Sequence, residues 1–257
     1  MEEPPLEQDA PPKPVPRPKM SLAARLLNVF AIPGQVFGEL ATSPSAVSNW
    51  LVPAVLAAIV GVLSALVIFS QPAVQKQFRE RQDKLLQQGS TAAKMTAQER
   101  AVVERMTSPP VLKAVGSAGA AIGSFGNVLW WGFILWFLAR SLLRVQVSFA
   151  KALEVAGLAM MINVLGGIVA MLLIVHVGRV GATPSLALLV KDFDATRKGD
   201  LFAAAANVFS VWVVLVRSIG LAKLAGVPYL RAAWAVFTFW ILEQSFLILS
   251  GIGQWAM

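Results

Sequence analysis

Long apolar runs separated by polar segments set the pattern of the chain. Five runs, residues 50–69, 118–138, 153–175, 201–222 and 232–252, each hold about 20 mostly apolar positions. That is the length a helix rising about 1.5 Å per residue needs to cross hydrocarbon about 30 Å thick. The pattern predicts an all-α integral membrane protein, a five-helix transmembrane bundle. Trp50, Tyr229 and Trp255 fall at run ends, where amphipathic rings favour the headgroup layer. Pro53 lies one turn into the first run, where a missing N–H is tolerated.

The segments outside these runs have patterns of their own. Residues 1–20 carry Pro4, Pro5, Pro11, Pro12, Pro14, Pro16 and Pro18 with mixed charge. Proline removes backbone donors and favours extended polyproline geometry, so this stretch reads as a disordered cytoplasmic tail, or alternatively as an SH3-type ligand. Residues 22–40 are amphipathic but too short to span. Leu26, Leu27, Phe30, Val36, Phe37 and Leu40 predict an interfacial N-terminal helix, with Pro33 in its first turn. A membrane domain is expected over 21–253. Within it, the polar segment 71–117 is expected outside the membrane, with a helix over 75–88. A second helix there opens at the Thr96/Glu99 capping box and closes at Ser108–Pro109–Pro110. In the 178–200 segment, Ala182–Thr183–Pro184–Ser185 reads as a turn and Leu186 to Val190 as a return to the interface.

Composition removes the soluble alternatives. Hydrophobic residues make up 56% of the chain and charged ones 14%, and mean hydropathy is +0.66, too little polar surface to keep a domain dissolved. The net charge of +8 comes from bases placed between apolar runs, where they orient the chain and meet anionic headgroups. No basic, aromatic-bearing domain exists to hold nucleic acid. Without cysteine there is no disulfide, thiolate site or cysteine nucleophile. One histidine, His176, rules out a histidine-rich zinc site. No cofactor or metal is expected. The first apolar run starts too late, and lacks the small-residue pattern, for a cleavable signal peptide.

Two short connections resemble each other. Val147–Ser148–Phe149–Ala150–Lys151–Ala152 and Val227–Pro228–Tyr229–Leu230–Arg231–Ala232 share valine, an aromatic, a base and alanine in register. Either the second/third and fourth/fifth spans are copies of one hairpin, or two headgroup-level turns are alike by chance. Both turns face one side. Arg140, Arg144, Lys151, Arg217, Lys223 and Arg231 flank them, so the positive-inside rule places the turns and N-terminus in the cytoplasm and the C-terminus across the membrane; the absence of cysteine fits a bacterial inner membrane, which would put the C-terminus in the periplasm. The bases of the 71–117 segment oppose this, but long loops weigh less. Phe149, Lys151, Tyr229 and Arg231 are the candidate cytoplasmic contacts.

Candidate chemistry is sparse. Glu243, followed by Gln244, falls inside the fifth span, where a carboxylate costs about 2.5–3.5 kcal/mol or more. With Asn163 these form a candidate intramembrane polar site, either a proton or cation site or a hydrogen-bonded packing residue. Arg217 lies about 8 Å from the turn end of its span and Glu243 about 18 Å, so Arg217 is expected to snorkel or to meet Glu154 rather than Glu243. Asn127, Asn163 and Asn207 are expected to bond between helices. Gly116, Gly119, Gly123 and Gly126 in the second span, and Gly61 in a similar stripe with Ala54, Ala58 and Ala65 in the first, suit close helix packing within the bundle or at a dimer seam. No catalytic triad spacing, phosphate loop or glutamate pair occurs.

The ordered pieces resemble the Yip domain family. Phe30, Pro33 and Phe37 precede the first span, and Trp50 and Pro53 open it. Met95–Thr96–Ala97–Gln98–Glu99, Phe209–Ser210–Val211–Trp212, Gly220–Leu221 and the repeated aromatic–x–base–alanine turns follow. The likeness covers residues 22–253. It implies five spans, a cytoplasmic N-terminus and a C-terminus on the far side. Eukaryotic members act in vesicle trafficking and bind Rab GTPases and one another; for bacterial relatives the resemblance implies fold and location without an established activity. The expected function is therefore non-enzymatic: a polytopic protein in the lipid bilayer that organises or assists other membrane proteins or copies of itself. The alternative is a small solute or ion transporter or channel subunit using Glu243.

Overall fold

Ten α-helices are present among the residues that the computed structural model describes, 20–88, 96–191, 193–194 and 197–251, and there is no strand. The proline-rich tail, Met95, Ile252 and Trp255 lie outside those residues. Among the described residues, five helical segments are long and apolar enough to span: Ser48–Ile68 (α3), Pro109–Leu142 (α6, Pro109–Phe137, with a π-helical end over Leu138–Leu142), Phe149–Val177 (α7), Val208–Ala225 (α9) and Tyr229–Leu249 (α10). The chain is an all-α membrane bundle. Leu51, Val55, Ile59, Leu63 and Leu66 stay exposed along α3 at the spacing of one helix face. Such a stripe suits lipid and would be a liability in water.

Helix α7 is the axis. It packs against α3, α6 and α9, and α10 packs on α9. Burial is uneven along it: Ala152 to Met160 are all buried, whereas most positions from Asn163 onward are partly exposed. The main core joins that first half of α7 to Trp131–Leu143 of α6 and its end, Val213–Ala225 of α9, and Ala232, Ala235 and Val236 of α10. The tightly packed half of the bundle is thus the half that carries the two hairpin turns.

The N-terminal segment departs from the expected surface helix. It forms two helices, Leu22–Ala31 (α1), with Ser21 Oγ accepting from the Ala24 N–H, and Pro33–Thr42 (α2), with Pro33 at its first position. Val29, Val36, Phe37 and Leu40 are fully buried in the main core, and Phe30 meets Trp212 edge-on at 6.0 Å. The apolar face therefore finds α7 and α9 rather than lipid. Only outward residues such as Leu27, 71% exposed, keep the expected orientation.

Three boundaries also move. Pro109 and Pro110 do not close the preceding helix, Ala97–Met106 (α5); with Ser108 as cap they open α6, nine residues before the apolar run begins. Proline is as favourable at a helix start as after a helix end, because the first-turn N–H has no intrahelical partner. The polar helix after α3 runs over Pro72–Gln88 (α4). The fourth run is not one helix. It divides into Lys198–Ala205 (α8) and α9, because Asn207 Oδ1 accepts from the Phe209 N–H and starts a new helix. The Ala182–Ser185 turn fills the gap: Pro184 C=O accepts from the Val208 N–H at 3.1 Å, and Ser185 bridges to Asn207. Asn207 is therefore a cap, not a bond between spans.

The two similar connections have one backbone plan. Ser148 and Pro228 are extended caps (φ −74°, ψ 144°; φ −55°, ψ 140°), the helices start at Phe149 and Tyr229, and Ala152 and Ala232 are buried at the same step. The exits differ: α9 leaves through Gly226 at φ 62°, whereas α6 leaves through its π turn and Arg144 at φ 58°.

Candidate functional site

Beneath the turns, side chains from four elements form one continuous polar chain. Arg25 of α1 pairs with Glu39 of α2 at 2.7 Å and donates to Asn49 Oδ1 of α3 at 3.3 Å. Asn49 Nδ2 donates to Glu154 Oε2 of α7 at 2.6 Å. The other oxygen, Glu154 Oε1, accepts from the Ala46 N–H at 3.2 Å and pairs with Lys151 Nζ at 3.3 Å; Lys151 also donates to Pro44 C=O. Glu39 further accepts from the Met20 N–H. Asn49 and Glu154 are each 1% exposed. Two acids and two bases balance in charge, and the Glu154 carboxylate sits at the start of α3, where the helix dipole favours an anion.

Deeper in the bundle a second polar group surrounds α6. The buried Arg217 guanidinium sits over the Trp131 ring, 4.0 Å from its centroid, and donates to Asn127 Oδ1 at 3.3 Å; its Nε has no hydrogen-bond partner among the described residues. The expected pairing with Glu154 does not form, because Glu154 is already held by Asn49, Ala46 and Lys151. Helix α9 continues to Ala225, so Arg217 is eight residues, about 12 Å, from the turn. From there its stem reaches Trp131 rather than the headgroups. Glu243 accepts from the Trp130 indole N–H at 2.5 Å. No ion pair joins Arg217 to Glu243 among the described residues.

Gln244 is half-buried beside Glu243, and Asn163 is half-buried on α7. Phe149 and Tyr229 are exposed (42% and 43%), as is Arg231, whereas the Lys151 side chain is 13% exposed and occupied by Glu154 and Pro44. Among the glycines, Gly61 faces Ala120 and Gly116 faces the Phe69 ring, while Gly119, Gly123 and Gly126 meet open space. The closest approaches involve glycines that a small-residue stripe does not mark. A Cβ on Gly157 would overlap Trp50 Cα and Cβ, and one on Gly220 would overlap the Val155 side chain. Arg25, Glu39 and Asn49 also escape a reading by spans, since they lie in short segments outside the bilayer-length runs. Their one local signal is an arginine and a glutamate placed within an otherwise apolar segment.

A family model described as the Yip1 domain matches residues 27–251, most of the chain. No curated protein and no solved structure matches it.

Proposed function

The chain belongs to the Yip1 domain family, and on that premise we propose that it is a non-enzymatic membrane protein that organises other membrane proteins through its turn-side face, with that face in the cytoplasm of a bacterial cell. The carrying observation is the placement of Phe149, Tyr229, Leu230 and Arg231, all exposed, on the most firmly packed end of the bundle. Exposed aromatic and apolar side chains beside a base, on a rigid support, suit a protein contact. The Glu39–Arg25–Asn49–Glu154–Lys151 chain supplies the support. Lys151 serves inside it, so the contact residues are Phe149, Tyr229, Leu230 and Arg231. A photoreactive residue at Phe149 or Tyr229 should crosslink in native membranes to the same partner, identified by mass spectrometry. Crosslinks confined to lipid at both positions count against an organising role.

One observation favours a second reading, a transporter or channel subunit: Glu243 is held within the spanning part of α10 by a single indole donor. Intramembrane carboxylates mark ion and proton paths. In vesicles containing the purified chain, Glu243→Gln should then abolish any ion-coupled flux; the same flux in wild type and variant removes Glu243 from such a path.

A further inference from the structure

A groove of about 430 Å³ lies between the start of α10 and the π-helical end of α6, within the size range of small-molecule sites, about 300–1,000 Å³. Arg231, Trp234, Thr238 and Leu242 form one wall, and Leu138 and Leu142 lie across from them. The α10 residues recur at steps of three and four, so they share one helix face. From Arg231 to Leu242 is eleven residues, about 17 Å, or about half of a hydrocarbon layer of about 30 Å. The groove therefore runs from the headgroup level of the turns to near the bilayer centre, the depth of one leaflet.

The opposite wall exists because α6 ends in a π turn. The Leu143 N–H donates to Leu138 C=O at 3.0 Å and the Val145 N–H to Ala139 C=O at 2.9 Å. This widened ending places Leu142 and Leu143 on the groove, and π turns of this kind recur at functional sites. Trp234 and Leu242 are 68% and 63% exposed, so the groove opens onto the lipid-facing surface. Arg231 stands at its mouth with no ion pair among the described residues, and Arg140 and Arg144 add exposed positive charge at the same end. Nearby acids do not offset this. Glu39 and Glu154 are engaged by Arg25 and Lys151, and Glu243 lies twelve residues, about 18 Å, along α10 from Arg231.

We propose that this groove binds an anionic phospholipid of the turn-side leaflet, one acyl chain lying along α10 and the phosphate held by Arg231. The apolar walls exclude a polar solute, and the surface onto which they open has lipid as its solvent. A base at headgroup depth selects a negative headgroup. Arg231 is also one of the proposed protein contacts, but the lipid site does not depend on that reading, and a variant inside the groove separates the two.

The test uses the full chain in phosphatidylcholine vesicles carrying a trace of phosphatidylglycerol or phosphatidylcholine with a diazirine on the acyl chain. Adducts are mapped by peptide mass spectrometry. The expected result is labelling of residues 231–242 and 138–143 about fivefold stronger with phosphatidylglycerol, the ratio one base near the surface supplies. Arg231→Gln should bring the two probes level. Thr238→Trp should remove groove adducts with both probes while leaving those at Ile59 on α3 and crosslinking from Phe149 unchanged. Leu142→Trp fills the groove from the other wall if Thr238→Trp does not elute as a single species. Equal labelling of the groove and Ile59 by both probes, groove adducts that survive both filling variants, or no groove adducts at all would each overturn the proposal.

Discussion

Glu154→Ala is expected to lower stability by about 3–5 kcal/mol, the loss that follows when one partner of a buried charged cluster is removed. Both carboxylate oxygens are in use. Truncation leaves the Asn49 amide and the Ala46 N–H without their acceptor and leaves Lys151 beside a carbonyl alone. Because Asn49 also receives Arg25, the damage passes to α1 and α2. The readout is the temperature at which the detergent-solubilised chain loses its single-species elution. A second readout exploits the absence of cysteine: a Val36→Cys reporter, fully buried in the intact fold, should become labelled when α2 lifts away. Glu154→Gln, which keeps an acceptor but not the ion pair, should fall between wild type and Glu154→Ala. Equal melting of wild type and Glu154→Ala, with Val36→Cys still protected, would show that the polar chain does not hold the N-terminal helices.

The contrast between what was legible in the residues and what was not follows from range. A membrane span is a sum over about 20 neighbouring side chains, so the five spans could be read without any tertiary knowledge. A helix start can also be local: Pro33 at the head of α2 announces itself within one turn. The break at Asn207 is different. Asn207 ends the alanine run of α8; its own cap on the Phe209 N–H is local, but the bond from Val208 to the Ala182–Ser185 turn, which fixes the break, is not. By sequence Glu154 is a residue at the edge of a span; its importance comes from Asn49 and Ala46, more than 100 positions away. The depth of Arg217 depends on a helix boundary. From the end of the apolar run at Ala222 it is about 8 Å, but the helix continues to Ala225 and the ring of Trp131 lies within reach. The amphipathic segment before the first span illustrates a similar limit, since an apolar helix face does not state whether lipid or protein will cover it. Gly157 and Gly220 have no special spacing, and only the approach of a neighbouring helix makes them irreplaceable.

Gly157→Leu should also destabilise the bundle, by a mechanism that shares its target with the loss of Glu154. Gly157 is three residues after Glu154 and lies on the same face of α7. A Cβ there would overlap Trp50 and stand 3.0 Å from Asn49 O. The overlapped Trp50 Cα belongs to the backbone of α3, so no rotamer change relieves it; α3 must move away from α7. Overpacking of this kind costs about 1–3 kcal/mol, occasionally more. The displacement also draws Asn49 from Glu154, whose 2.6 Å bond exists because α3 comes this close. The two effects should therefore overlap rather than add. In a double-mutant cycle, Gly157→Leu with Glu154→Ala should lose less than the sum of the single variants, with an interaction energy in the range of about 0.5–3 kcal/mol found for coupled neighbours. Gly119→Leu is the control: its glycine meets open space on α6, so the same added side chain should leave the melting temperature unchanged. Strict additivity of Gly157→Leu and Glu154→Ala would mean that the close approach of α3 and the polar chain are independent features. Sub-additivity would show that the glycine is what allows the buried carboxylate to be satisfied.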